Sequence, residues 1–391
     1  MKPRSFNRVA LELGFAVVTI VACVASPAAS QPATGLRPTF DMIEIHDTNL
    51  LFAPSNREAD LITRVTPGVA FDSHEPLLNV SGRYAFDAER FAAHRDLSGI
   101  NGHRASIDVQ STPTRLSTFA VDGAFTETEV PAELNPLFGI ALTRARAYRF
   151  LVHPSVQRKF GPRTTAAIDY SIIDDRYAGA VAGQTQRVGA QIERRPSERD
   201  VITIGYQVER FDFRVERTAS PQTATIATAN AVTVGWRRDI SRLASVTLRG
   251  GPRVVDGRTA ADIAAALHTR LKTVEMTFGC TQTQTALVGI VGVAEAQSAS
   301  TDAEWVPRKS VRIRGTVGMF RVTHAGLEAY GTRAGFEALR VIARTLAIRA
   351  TYEANLQRGT IYDAALPSVF GLISRHVMSI GLVKNLAIGV Q

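Results

Sequence analysis

The chain has 391 residues, a formal net charge of +9, 45% hydrophobic and 21% charged residues. That length fits two or three soluble domains or one closed barrel, because barrels grow by adding hairpins and not by enlarging a core. The basic residues are mostly arginines placed singly, without runs of five or more, which argues against a nucleic-acid-binding arm and for charges set singly into walls.

Residues 1–30 read as an export signal. Lys2, Arg4 and Arg8 make a basic start, residues 13–25 an apolar run, and Ala28-Ala29-Ser30 a small-residue cleavage site before Gln31. The apolar run is shorter than the roughly 20 residues a membrane helix needs. A second processing reading rests on Ile20-Val21-Ala22-Cys23, which is similar to a lipoprotein box that would make Cys23 the new N-terminus. Removing residues 1–30 takes away Lys2, Arg4, Arg8 and Glu12, so two net positive charges leave and +9 becomes +7. Only Cys280 then remains, and no intrachain disulfide can form.

Residues 31–38, with Pro32, Gly35 and Pro38, read as a linker into a domain covering 31–391. No later stretch holds 18 consecutive apolar residues; the nearest, 286–294, is half that length and rich in glycine, so helical spans are excluded. Period-two alternation recurs instead, in segments of about ten residues. Leu78, Val80, Gly82, Tyr84 and Phe86 oppose Asn79, Ser81, Arg83 and Asp87. Ala105, Ile107 and Val109 oppose Arg104, Ser106 and Asp108; Val188, Ala190 and Ile192 oppose Arg187, Gln191 and Glu193. Ile202, Ile204, Tyr206 and Val208 follow, then Val232, Val234 and Trp236 against Arg237, and Val246 and Leu248 against Arg249. Ile313, Val317 and Met319 against Arg312 and Arg314, then Leu346 and Ile348 against Arg349, complete the clearest cases. One face of each segment is apolar and the other wet.

Such alternation also suits a soluble sandwich, so connection lengths have to discriminate. Tight turns at 73–76, 111–114, 161–163, 196–198, 239–241, 270–272, 306–309 and 344–345 interleave with longer polar loops near 48–58, 88–99, 128–142, 174–185, 214–226, 252–259, 283–287, 323–332 and 358–371. Short connections on one side and long ones on the other are the wiring of an outer-membrane barrel, with turns in the periplasm. The expected fold class is all-β: a single closed antiparallel transmembrane β-barrel of about 18 strands, with 16 an alternative because the boundaries are soft.

Asp47-Thr48-Asn49-Leu50-Leu51, then Asp60-Leu61-Ile62-Thr63-Arg64-Val65-Thr66-Pro67-Gly68, resembles the opening of the beta-barrel porin 2 family. Turn-to-strand joins at Arg242-Leu243, Arg270-Leu271 and Arg344-Thr345-Leu346 are similar to that family's hairpins. The resemblance implies an outer-membrane barrel, some members being associated with exopolysaccharide export, and supplies no catalytic residues. Many outer-membrane barrels end in an aromatic residue, whereas this sequence ends Ile388-Gly389-Val390-Gln391.

Eight dispersed histidines show no metal-ligand spacing, and no Gly-x-Ser-x-Gly elbow or phosphate-cradling loop is present. Neither an enzyme nor a cofactor is therefore expected. Asp174-Asp175 and Glu193 with Glu209 read as solvated loop and lumen charges before an acid–base couple. The best functional candidates are the inward arginines Arg83, Arg104, Arg187, Arg237, Arg249, Arg312, Arg314 and Arg349, which would attract anions in a narrow lumen. The competing reading pairs them with inward Asp87, Asp108, Asp122, Asp169, Glu193, Glu209 and Glu353. Tyr84, Phe86, Phe125, Tyr206, Trp236 and Tyr352 read as interfacial girdle residues. The expected partners are outer-membrane lipid outside and anionic polysaccharide or small polar solutes inside, with a non-conducting scaffold for envelope assembly as the alternative.

Overall fold

The computed structural model describes residues 33–135, 144–177, 181–215, 224–325, 327–359 and 372–384. The signal and Cys23 lie outside them. The strands are β1 (Ala33–Asp47), β2 (Asp60–His74), β3 (Leu78–Phe91), β4 (Gly99–Thr114), β5 (Ser117–Thr128), β6 (Ala147–Lys159), β7 (Thr164–Tyr177), β8 (Val181–Arg194) and β9 (Asp200–Val215). Then come β10 (Ala224–Ser241), β11 (Ala244–Val255), β12 (Arg258–Arg270), β13 (Val274–Ala286), β14 (Val293–Arg308), β15 (Val311–His324), β16 (Leu327–Ala343), β17 (Leu346–Gly359) and β18 (Leu372–Lys384). Each strand pairs with its chain neighbours, and β1 pairs with both β2 and β18, antiparallel to the latter, which closes an 18-stranded wall. Closure is what a membrane demands, since hydrocarbon offers no water to satisfy an open edge.

Strands of 12 to 18 residues exceed the roughly 9–11 needed to cross a bilayer, so they project beyond it. Connections after even-numbered strands are short, from two residues at 115–116 to five at 195–199. After odd-numbered strands they reach 48–59 and 129–146. Three expected loops shrink. At 252–259, β11 runs to Val255 and β12 starts at Arg258, joined by Asp256 (φ 47°) and Gly257 (φ 79°), the left-handed pair of a tight hairpin turn. Strand also takes over most of 174–185 and 323–332, and the linker expected over 31–38 becomes β1 from Ala33 onward. In 252–259 and 174–185 the cause is the same: polar residues such as Arg253 and Asp175, which look like loop residues, stay in the strand and are buried in ion pairs.

The outward face decides between sandwich and membrane barrel. Ile168, Val317, Met319 and Ile380 are each at least 60% exposed, and Ile204, Val234 and Tyr206 share that face. Water would not tolerate a continuous band of this kind, whereas lipid requires it. The inward face departs from the simple expectation. It is polar along most of the wall, but toward the long-loop end the inward positions hold Ile43, Ile45, Ile62, Phe91, Phe211, Phe213, Phe320 and Val322, all buried. Loops folded into the barrel mouth cover them.

Candidate functional site

The mouth is filled from two sides. The β13–β14 connection, residues 287–292, reads Leu-Val-Gly-Ile-Val-Gly, and Gly289 (φ 82°) and Gly292 (φ 102°) let its backbone double back. Leu287 and Ile290 pack on Ala294, Ala296, Phe320 and Val322 of the nearby wall. Val288 reaches Leu134, Ala147, Tyr177 and Val181 on the far side, and Val291 lies against the group containing Phe211 and Phe213. The Val288 amide donates to the Asn135 side-chain oxygen at 3.3 Å. Only about 10 Å³ of space is left between this segment and Asp175, Gly183 and Phe213.

The β1–β2 loop fills the other side. Leu50 joins Ile43, Ile45, Ile62 and Phe91, while Phe52 joins Val130 and Ile373. Its polar residues act as clips. Asn49 donates to the carbonyls of Ala53 (2.8 Å) and Ser374 (3.0 Å), and Asp47 accepts from Arg375 at 2.7 Å. Asp60 accepts from the amides of Ala93 and His94, each at 2.9 Å. The His94 ring bridges Glu58 and Asp60, and these hydrogen bonds raise its pKa above the ordinary 6.5. The residues carrying the family resemblance thus fasten a loop inside the barrel.

Below the plug lies a cavity of about 410 Å³, lined by Asp41, Ile43, Arg64, Thr66, Arg83, Arg104 and Arg349 among others. A second, of about 370 Å³, has Arg83, Asp72, Asp108 and Asp122 in its wall. Seven of the eight arginine candidates have acidic neighbours. Arg104 meets Asp87 at 2.6 Å, Arg314 and Arg312 meet Glu304 at 2.6 and 3.3 Å, and Arg249 meets Asp262 at 3.4 Å. Arg237 lies 3.4 Å from Asp239, Arg187 3.6 Å from Asp169, and Arg349 3.9 Å from Asp41. Arg83 makes no ion pair among the described residues, and the Arg349 Nε is buried without a hydrogen-bond partner. Charge compensation therefore governs most of the set; Arg83 is the one of the eight with no acid within ion-pair distance among the described residues, although it shares a cavity wall with Asp72, Asp108 and Asp122.

The sequence reading missed several arginines that the structure uses: Arg64 on Glu89 (2.7 Å), Arg144 on Glu129 (3.1 Å), Arg149 on Asp175 (2.7 Å), Arg333 on Glu353 (2.8 Å) and Arg375 on Asp47. Arg253, only 2% exposed, bonds Glu209 and lies 3.8 Å from Asp262. Cross-strand register is the signal that finds such pairs, since Arg64 faces Glu89 directly. The imagined carboxylate couples are not brought together: Asp175 belongs to Arg149, Glu209 to Arg253, and Glu193 to Arg195 at 3.2 Å. Among the described residues no three His, Cys, Asp or Glu side chains converge as for a metal.

No family model and no curated protein sequence matches the chain. Solved structures do. The FrpB iron transporter from Neisseria meningitidis (F3-3 variant) is 9% identical with a TM-score of 0.50, over 89% of this chain and 67% of that one. OccK11 (OpdR) of Pseudomonas aeruginosa is 8% identical with a TM-score of 0.46, over 90% of this chain and 96% of that one. The siderophore receptor PirA from the same species gives 9% identity and 0.45, over 91% and 81%. At these identities the likeness is one of fold. With its closed antiparallel wall, even strand number, outward apolar band and one-sided loops, the chain is an outer-membrane β-barrel.

Proposed function

We propose that this barrel is an outer-membrane channel that passes or guides polar, anionic material, acidic exopolysaccharide being the cargo most in keeping with its lumen. The route is passive, residues 1–30 are removed on export, and the long loops face outward from the cell. The observation that carries this reading is the arginine-lined cavity inside a closed wall, reached through a mouth that the chain's own loops constrict. The likeness of residues 47–51 and 60–68 to the beta-barrel porin 2 family supports it, because those residues fix the constriction.

The dry packing of residues 287–292 across the lumen favours a second reading, a non-conducting scaffold for envelope or polysaccharide assembly. Planar-bilayer recordings separate the two. The channel reading expects conductance with anion preference, and more of it when residues 287–292 are replaced by the Asp-Gly turn that joins β11 to β12. Silence from both folded proteins supports the scaffold.

A further inference from the structure

We infer that the short-turn end of β12 to β16 carries, on its lipid side, a binding site for an anionic glycerophospholipid of the phosphatidylglycerol class, built from Lys272, Arg308, Lys309 and Arg340 around Trp305. It goes beyond the reading of the lumen and holds for a channel and a scaffold alike.

Every short connection from residues 115–116 onward contains an arginine or lysine. Three neighbouring strand ends are tied into one edge. The Val306 amide donates to the Thr273 carbonyl and the Val341 amide to that of Ser310, both at 2.8 Å, and Val311 stands in register with both Arg308 and Arg340. Lys272, Arg308, Lys309 and Arg340 thus gather at this edge, all exposed and none in an ion pair among the described residues. The acids of the same strands alternate onto the lumen side and are engaged there. Arg312 and Arg314 take Glu304, Arg314 also faces Glu337 in register, and Glu275 lies 3.9 Å from Arg270.

The edge is apolar as well as cationic. Trp305, Leu271, Phe336 and Ile342 are exposed, and they extend the outward band down to the turns. Water gives such side chains no reason to sit there. The boundary between hydrocarbon and headgroups does, with rings at headgroup level and long cationic side chains reaching the phosphates. An acidic protein would satisfy the cations but leave Leu271 and Ile342 unexplained. Short turns of such barrels face the periplasm, so the leaflet they meet is the glycerophospholipid one.

The second tryptophan supplies a comparison within the same molecule. Trp236 is outward at the same end, but its indole N–H donates to Asp200 at 3.1 Å, and Arg238 and Arg237 lie 3.8 and 3.4 Å from Asp200 and Asp239. Acids offset the arginines there, and anionic lipid has less to gain.

The test is tryptophan quenching in the barrel reconstituted in equal parts phosphatidylcholine and phosphatidylglycerol, with brominated chains on one lipid and then on the other. Heat-modifiable gel mobility confirms folding. Trp236→Phe leaves Trp305 as the reporter. Phosphatidylglycerol should then be enriched beside Trp305 by about fivefold, the worth of one cation near a charged lipid surface, and added salt should shrink the excess. Adding Lys272→Gln and Lys309→Gln should at least halve it, whereas Trp305→Phe, which reports from Trp236, should show little excess from the start. Equal quenching by the two lipids at Trp305, an excess unchanged by the loss of both lysines, or the same excess at Trp236 each overturns the site; the last would show only the general pull of a basic barrel on acidic lipid.

Discussion

Replacing Val288 by Asp should release residues 287–292 from the lumen and raise conductance. Leu287, Val288 and Ile290 are at most 4% exposed, and burying three such side chains is worth about 5–9 kcal/mol. Ordering the six residues of the segment costs about 1–2 kcal/mol each, or about 6–12 kcal/mol in all. The two terms are of one size, so docking is marginal and its net hold comes from the wall side chains the segment also covers, Phe211, Phe213 and Phe320 among them. An Asp at 288 forfeits about 2 kcal/mol of apolar burial and sets a carboxylate among Leu134, Ala147, Tyr177 and Val181, beside Asp175. An unpaired buried charge costs several kcal/mol, which exceeds what holds the segment. The wall keeps its backbone ladder throughout. Larger unitary currents, together with new protease sensitivity at 287–292, are the expected result. Unchanged current and unchanged protease resistance in a folded barrel would show that this segment is not the barrier.

Three further outcomes are expected. Arg253→Met strands Glu209 in a dry setting, while Asp262 keeps Arg249, and should cost about 3–5 kcal/mol in urea unfolding from liposomes, with partial recovery when Glu209→Gln is added; an unaltered midpoint would deny the network a structural role. Val234→Arg, outward and 54% exposed, should cost about 2–4 kcal/mol if that face meets mid-bilayer hydrocarbon, and nothing if it meets water. Because its partners raise the pKa of His94 in the folded state, the clip to Glu58 and Asp60 contributes fully below pH 6.5 and is lost as pH climbs through the raised value. Hydrogen exchange in residues 48–59 should therefore quicken as pH rises above neutrality beyond its intrinsic increase, and His94→Gln should remove that excess; slower exchange at high pH would reverse the sign.

The wall was legible in the sequence because its rule is local. Alternation at Ile202, Ile204 and Tyr206, and turns such as Arg242-Leu243, need only near neighbours to be read, and strand number, handed loops and lipid face follow from them. The mouth was not legible, because its residues obey no local rule. Phe211 and Phe213 alternate like a membrane-facing pair, yet they face inward against Val291 and are shielded by a loop distant in sequence. Residues 286–294 stood out as the most apolar run, but hydropathy alone could not say that this run is a plug. The arginines divide the same way. Arg104, Arg312 and Arg314 were readable as inward, while their commitment to Asp87 and Glu304 depends on register. What singles out Arg83 is a missing partner, and no sequence position announces that.

The contact between Val288 and Asn135 joins residues 153 positions apart. Hairpins can zip as they are made, but these two groups meet only across a finished cylinder. Docking of the segment therefore belongs to the last stage of assembly, after the wall has entered the bilayer and sealed. A newly inserted molecule passes through a wide-bore stage before maturing, so freshly reconstituted protein should conduct most in its earliest minutes and then settle.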